Sequence, residues 1–294
     1  MSNTTVVFGV LAAVFWGLSP VFSKKGFTTG GTPLLATLAL VIFGTVGLWV
    51  LIGITHGSEE ILDSLTLAAA GPFVLGGIVG TGIGRLLNYS GVKALGASVN
   101  SAGVATDPVF AAALGVMLLG EQITLVQLLG ICLVVTGVAV TLLSGGGNNR
   151  GWPKRVLIYP LGAALAYGSG AVIRRFGLVN IPISPIQAAA INETAALCVL
   201  SGYALFRLDT DTVTDATLDS YSYLIAAGII NTAGLVSFFI SINNGPVAIG
   251  STLAGMSTLM TVGASAIFLD NVETVTRVTG IGAVVTVVGA SLVV

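Results

Sequence analysis

The chain has 294 residues, 54% of them hydrophobic and only 8% charged, against roughly 25% charged for an ordinary soluble domain. With a mean hydropathy of +1.00 it has too little polar surface to face water, so the bilayer is its solvent. Its 11 Lys and Arg stand against 12 Asp and Glu, so no basic excess exists and nucleic acid is excluded as a partner. The two cysteines, Cys132 and Cys198, lie inside apolar runs and show neither disulfide nor metal spacing.

A membrane-spanning helix needs about 20 apolar residues, since roughly 30 Å of hydrocarbon is crossed at about 1.5 Å per residue. Ten segments meet this in chain order: Thr5 to Ser23, Pro33 to Thr55, Leu67 to Tyr89, Ala97 to Leu119, Thr124 to Leu143, Arg155 to Phe176, Pro185 to Leu205, Tyr221 to Asn243, Ala248 to Leu269 and Thr276 to Val293. The first lacks a preceding basic region and a following small-residue cleavage site, so it is read as a retained helix. The longest loops are His56 to Ser64, Ser144 to Lys154 and Arg207 to Ser220; the second is glycine-rich, closes on Pro153 and falls at the midpoint.

That midpoint divides an internal repeat. At a shift of 152, Glu121 and Thr124 fall on Glu273 and Thr276, Gly130 on Gly282, Gly137 on Gly289 and Pro33 on Pro185; at 151, Trp16-Gly17 falls on Tyr167-Gly168 and Gly26 on Gly177. The expected organisation is an all-α integral membrane protein with one five-helix repeat over residues 1–146, a linker over 147–154 and a second repeat over 155–294, integrated in one membrane domain. Because five is odd, the two halves enter the membrane from opposite sides, the architecture of many secondary transporters with a site near the midplane.

Trp16-Gly17 through Pro20, the run from Pro108-Val-Phe110 to Leu119-Gly-Glu121, and Thr124, Gln127, Gly130 and Gly137 resemble the EamA-like members of the drug/metabolite transporter superfamily. Glu273, Thr276, Gly282 and Gly289 answer in the second half. The resemblance implies a ten-helix transporter whose central cavity is lined by the third, fourth, eighth and ninth helices and the opening helix of each half. Across that family substrates include amino acids, purines, sugar phosphates, nucleotide sugars and drugs. The second half departs from the pattern: Met260 stands where Pro108 has its counterpart, and Asn271-Val272 replaces Leu119-Gly120. Pseudo-symmetry is therefore not expected to extend to the ninth helix.

Three charged residues fall well inside the predicted spans: Arg85, Asp107 and Glu193. Charge at that depth costs several kcal/mol unless it meets a partner, a wet cavity or a function. Their counterparts in the other half are Ser237, Leu259, and Val41 or Ile42, so the scaffold does not demand them. Arg85 is expected to hold a substrate anion and Asp107 to pair with it or meet a substrate amine; the structural alternative is an Arg85–Asp107 pair locking helices three and four. Low dielectric favours the protonated form of a carboxyl, which makes Glu193 and Asp107 the candidate proton-coupling sites. Asn88, Tyr89 and Asn231 are candidate cavity residues, with Asn243 and Asn244 toward a vestibule, and Trp16 with Tyr167 a candidate aromatic wall.

Lys24-Lys25 and Arg174-Arg175 close the first and sixth helices at matching places and are expected to snorkel to the headgroups. Glu121 and Glu273 stand just before helix starts and read as structural, Thr124 with Gln127 forming a capping box. Gly76, Gly80 and Gly84 put a smooth stripe on the third helix. With the termini inside, internal loops would hold Arg174 and Arg175 against Lys24, Lys25, Arg85, Lys93, Arg150, Lys154, Arg155, Arg207 and Arg277 outside. The positive-inside rule therefore favours both termini outside, against what the resemblance implies.

The chain reads as a multi-pass protein of the cell membrane, a secondary transporter moving a small polar metabolite or drug-like molecule by alternating access. No phosphate-binding loop is present for ATP, and no cofactor or metal is expected. An enzyme built on histidine is disfavoured because His56, the one histidine, sits in a loop; a carboxylate-based membrane enzyme and a channel-like bundle are the alternatives. Expected partners are the small-molecule substrate and the bilayer, with a second copy of the chain left open.

Overall fold

The computed structural model describes residues 3–55, 67–142, 147–148, 153–208, 213, 215–269, 273–274 and 276–293. The loop from His56 to Ser64, most of the glycine-rich linker, and Asn271-Val272 lie outside the described residues.

Among the described residues the chain forms ten helical spans: α1 (Asn3–Thr28), α2 (Pro33–Thr55), α3 (Leu67–Gly76, Gly77–Gly84 and Arg85–Leu95), α4 (Ala97–Val104 and Asp107–Leu119), α5 (Leu125–Leu142), α6 (Ile158–Asn180, after a short turn Lys154–Leu157), α7 (Pro185–Arg207), α8 (Leu218–Asn244), α9 (Val247–Gly255 and Ser257–Phe268) and α10 (Arg277–Val293). Eight of these spans are long and apolar enough to cross a membrane, and Leu125–Thr141 and Arg277–Gly289 are shorter apolar helices. Side chains are distributed as a bilayer requires: Leu125, Leu205, Phe206 and Leu218 point outward, while Arg85, Asn192 and Glu193 are buried.

Local chemistry sets the starts. Thr124 and Gln127 exchange bonds as a capping box, with the Thr124 N–H donating to Gln127 Oε1 at 2.9 Å and the Gln127 N–H to Thr124 Oγ1 at 3.3 Å. Ser184 and Gln187 do the same for α7, whose first residue is Pro185. Gly96, at φ +97°, is the only residue between α3 and α4, and only glycine takes that conformation cheaply.

Packing follows the repeat. α2 packs on α7 and α5 on α10, pairing each helix with its own counterpart, while α1 against α8 is answered by α6 against α3, and the second segment of α4 on α6 by that of α9 on α1. Five spans per half place the halves in opposite orientations. The strand pair β1 (Gly147–Asn148) and β2 (Glu273–Thr274) runs antiparallel, tying the linker to the approach of α10.

Three features depart from simple spans. α3 continues to Leu95, beyond the expected Tyr89, and passes through a π-helical stretch over Gly77–Gly84. α4 breaks at Ala105–Thr106, where Thr106 and Val109 bond to carbonyls only three residues back, next to Pro108, which has no N–H to give. α9 breaks in the corresponding place, with the Met256 N–H on Leu253 O and the Leu259 N–H on Met256 O. The break is thus shared by both halves although Met260 stands where α4 has Pro108, so in α9 it forms without a proline. A Cβ built on Gly255 would lie 3.6 Å from the Pro108 ring, so the two breaks stand close together.

Candidate functional site

The breaks of α4 and α9 open on a central cavity of about 80 Å³, several times the roughly 10–15 Å³ that one water needs. α1 contributes Trp16 and Pro20; α3 contributes Thr81, Arg85, Asn88 and Tyr89; α4 contributes Ser101, Val104, Ala105 and Asp107. Tyr167 and Arg174 come from α6, Asn231 and Phe238 from α8, and Ala254, Gly255 and Ser257 from α9. The seven residues expected to bind substrate, Trp16, Arg85, Asn88, Tyr89, Asp107, Tyr167 and Asn231, lie on this one cavity, and Glu193, expected at a proton-coupling site, does not.

The aromatic residues are placed by their neighbouring glycines. Gly17 lets α1 approach Met260 and the Ser257 carbonyl, and Gly168 lets α6 approach Phe110 and the Asp107 carbonyl, so that Trp16 and Tyr167 reach the cavity from opposite halves. Trp16 stacks at 5.1 Å on Phe238 and donates to the Asn231 carbonyl at 3.3 Å. Tyr89 is buried rather than interfacial, its hydroxyl 3.0 Å from Ser19 Oγ. Asn100 donates to Asn88 Oδ1. Asn243 and Asn244 are not among the lining residues.

The partner of Arg85 is not Asp107. Its guanidinium makes a two-pronged bond to Glu193, Nη1 to Oε2 at 3.0 Å and Nη2 to Oε1 at 2.8 Å, and Nη2 also reaches Asn231 Oδ1 at 2.8 Å. The pair joins α3 to α7, so the expected α3–α4 lock is corrected. Sequence separation hid it: α7 packs on the π-helical stretch of α3, and Gly44 of α2 leaves room for the carboxylate where a Cβ would come within 3.1 Å of it. Glu193 is sealed in the protein and is not among the cavity-lining residues. Asp107 lines the cavity at the start of the second α4 segment, where the helix N-terminus favours a negative charge. Among the described residues it has no ion-pair partner.

Arg174 is the residue that sequence reasoning missed. Instead of snorkelling it is 3% exposed, with Nε donating to Asn192 Oδ1 at 2.8 Å and Nη2 to Gly76 O at 3.0 Å and Thr81 Oγ1 at 2.9 Å. Asn192 in turn donates to Thr81 Oγ1 at 2.6 Å. The glycine stripe explains how the guanidinium enters: a Cβ on Gly76 would lie 2.9 Å from the Arg174 Cγ, one on Gly80 would collide with the guanidinium, and Gly80 meets Gly170 of α6 backbone to backbone. The stripe on α3 and the small residues facing it were the available signal, since they announce an approach too close for two ordinary helices.

Lys24 and Arg175 do not reach the headgroups either. Lys24 Nζ donates to the carbonyls of Val92 and Lys93 at 3.3 and 3.4 Å, at the end of α3. Arg175 Nη1 donates to those of Ile242 and Asn243 at 2.7 and 3.0 Å, at the end of α8. Since 175 − 24 and 243 − 92 are both 151, each cation caps the third helix of a half at equivalent positions on opposite faces. Glu121 Oε1 accepts from the Val247 N–H at 3.0 Å, capping α9, and lies 3.9 Å from Arg175 Nε.

Ten spans in two inverted halves, with broken helices meeting at a polar cavity between them, define a transporter-like membrane protein. The chain belongs to the EamA-like transporter family, whose model matches twice, over residues 3–143 and 154–294. A protein of known crystal structure is similar in fold, with a TM-score of 0.71 at 15% identity over 99% of this chain and 96% of that one. No match was found among curated proteins.

Proposed function

We propose that the chain is a secondary transporter that carries a small polar molecule through the central cavity by alternating access, coupled to protons. The observation that supports this reading is the cavity itself: polar and charged side chains from both halves converge where α4 and α9 break, the position at which rocking inverted repeats expose a site to either side. Asp107 is the coupling carboxyl, because it faces the cavity without an ion-pair partner among the described residues, whereas Arg85 holds Glu193 out of the cavity. Arg85 orders the site through Glu193 and Asn231.

The test is reconstitution in liposomes. A carrier exchanges labelled for unlabelled substrate in saturable counterflow, and an imposed pH gradient drives net accumulation. Asp107→Asn is expected to retain exchange and lose the response to the gradient. Non-saturable flux would indicate a channel, and gradient-driven uptake that survives Asp107→Asn would remove the coupling role.

A further inference from the structure

Lys24 and Arg175 do more than cap helix ends, because of what their bonds connect. Lys24, near the end of α1, donates to the Val92 and Lys93 carbonyls of α3 at 3.3 and 3.4 Å. Arg175, on α6, donates to the Ile242 and Asn243 carbonyls of α8 at 2.7 and 3.0 Å. Both sets of bonds therefore run between one group of helices, α3, α4, α6 and α7, and another, α1, α8 and α9. They do so at opposite faces. The Ser241 hydroxyl, near the end of α8, donates to the Thr5 carbonyl near the start of α1 at 2.8 Å, which puts the Arg175 contact on the face of the N-terminus, while Lys24 lies at the other end of α1. Arg175 acts with Glu121, which follows α4 and accepts from the Val247 N–H at the start of α9 at 3.0 Å. The α8–α9 corner is thus held at its carbonyls by a cation and at its amide by a carboxylate, each the charge that its helix end favours.

Resting on the alternating-access reading above, we infer that Lys24 and the Arg175–Glu121 pair are two latches, each closing the cavity at its own face and each breaking when that face opens. The cavity is lined from both groups of helices, so parting the groups at one face pulls apart the bonds there and leaves those at the other intact. Both latches are made in this structure. Hydrogen bonds from a charged donor are strong enough to bias an equilibrium between two conformers and weak enough for a bound substrate to offset. The Arg175 latch also provides for its own opening. Arg175 Nε stands 3.9 Å from Glu121 Oε1, and Glu121 Oε2 is buried with no hydrogen-bond partner among the described residues. Gly115 makes room for that oxygen, since a Cβ there would come within 2.8 Å of it. When the α8–α9 corner leaves, Arg175 and Glu121 close on each other, so neither charge is stranded.

The two faces are read separately by labelling one cavity cysteine, Ser257→Cys, in a chain whose Cys132 and Cys198 are replaced by serine. An impermeant maleimide is applied to intact cells and to inverted vesicles, and the ratio of the two labelling rates reports which face the cavity opens to. Lys24→Gln should move the ratio at least about tenfold toward the face away from the N-terminus, and Arg175→Gln at least about tenfold toward the N-terminal face, in keeping with the loss of one charged hydrogen bond. A merely structural role would lower stability without moving the ratio in opposite directions. A ratio unmoved in either folded variant, or moved the same way in both, overturns the inference. Glu121→Gln keeps an oxygen for the Val247 N–H and loses the charge, so it should move the ratio about threefold in the direction of Arg175→Gln. It decides if Lys24→Gln or Arg175→Gln fails to fold, and no movement there overturns the inference as well. The labelling needs no substrate: latches that behave as described in a protein without counterflow would sink the transport reading alone, and counterflow with unmoved ratios would sink the latches alone.

Discussion

The Arg85–Glu193 pair offers the sharpest test of how the bundle holds together. Both groups are buried, at 4% and 0% exposure, and they meet through two parallel bonds of 3.0 and 2.8 Å. Removing one partner strands the other charge away from water, which costs about 3–5 kcal/mol, whereas replacing both with apolar residues removes the desolvation cost along with the attraction. Arg85→Met and Glu193→Leu are each expected to destabilise the protein by about 3–5 kcal/mol. The double variant should cost far less than their sum, the remainder being roughly the 1–3 kcal/mol of leaving Asn231 Oδ1 without its donor. Equilibrium unfolding in mixed micelles, run as a double-mutant cycle, measures the coupling. If each single variant loses under about 1 kcal/mol, or the double variant loses the sum of the singles, the pair is not the lock between α3 and α7 described above.

Other perturbations follow from the same packing. Gly170→Ala puts a methyl 2.7 Å from the Gly80 Cα, a backbone contact that cannot swing away, so unfolding should become easier by about 1–3 kcal/mol; Gly202→Ala, with nothing within 4 Å, should be neutral or gain up to about 1 kcal/mol. Glu121→Ala removes the cap on the Val247 N–H and is expected to cost about 0.5–2 kcal/mol in the same assay, with no loss meaning that the cap is not holding α9. Lys24 and Arg174 are buried in the protein and Arg175 caps α8, so the basic residues left to set orientation, among them Lys93, Arg155 and Arg207, share one face. The positive-inside rule then puts both termini outside: in intact cells an impermeant maleimide should label Asn3→Cys and not Asn148→Cys, and the opposite pattern overturns that orientation.

How much was legible in the chain depended on the range of the interaction. Spans of 20 apolar residues and caps such as Thr124 with Gln127 are local, and a repeat such as Glu121 with Glu273 needs only the chain laid against itself. The cavity residues Trp16, Tyr167, Arg85 and Asp107 were also accessible, because an aromatic at a position repeated in the two halves or a charge inside an apolar run stands out against its surroundings. What was hidden is pairing between distant helices. Nothing around Arg85 says that its partner lies 108 positions on, and Arg174 looked interfacial because α6 runs to Asn180, a full turn past the expected end at Phe176. The break in α9 has no proline to announce it; it arises where Ser257 and Thr261 pack on Gly17.

The scaffold is symmetric where the site is not, and that contrast bears on mechanism. Helix breaks, capping cations and aromatic-glycine pairs occur in both halves, whereas Arg85, Asp107, Arg174 and Glu193 face Ser237, Leu259, Ser23 and Val41 or Ile42 at their repeat counterparts. All four charged residues belong to α3, α4, α6 and α7, and α6 packs on both α3 and α4. On the transport reading, a substrate held at the charged wall of the cavity rides with that group of helices, and movement of α1, α8 and α9 past it would change which face the cavity opens to. The Thr258 hydroxyl donates to the Ser101 carbonyl at 3.1 Å across the two groups, beside the breaks. Joining Ser101→Cys to Thr258→Cys with a short bismaleimide should stop counterflow in liposomes, while a single-headed maleimide of the same bulk leaves most of it. Exchange that continues through the cross-linked protein would mean that the two groups do not move against each other at this point, and the rocking account would fail with it.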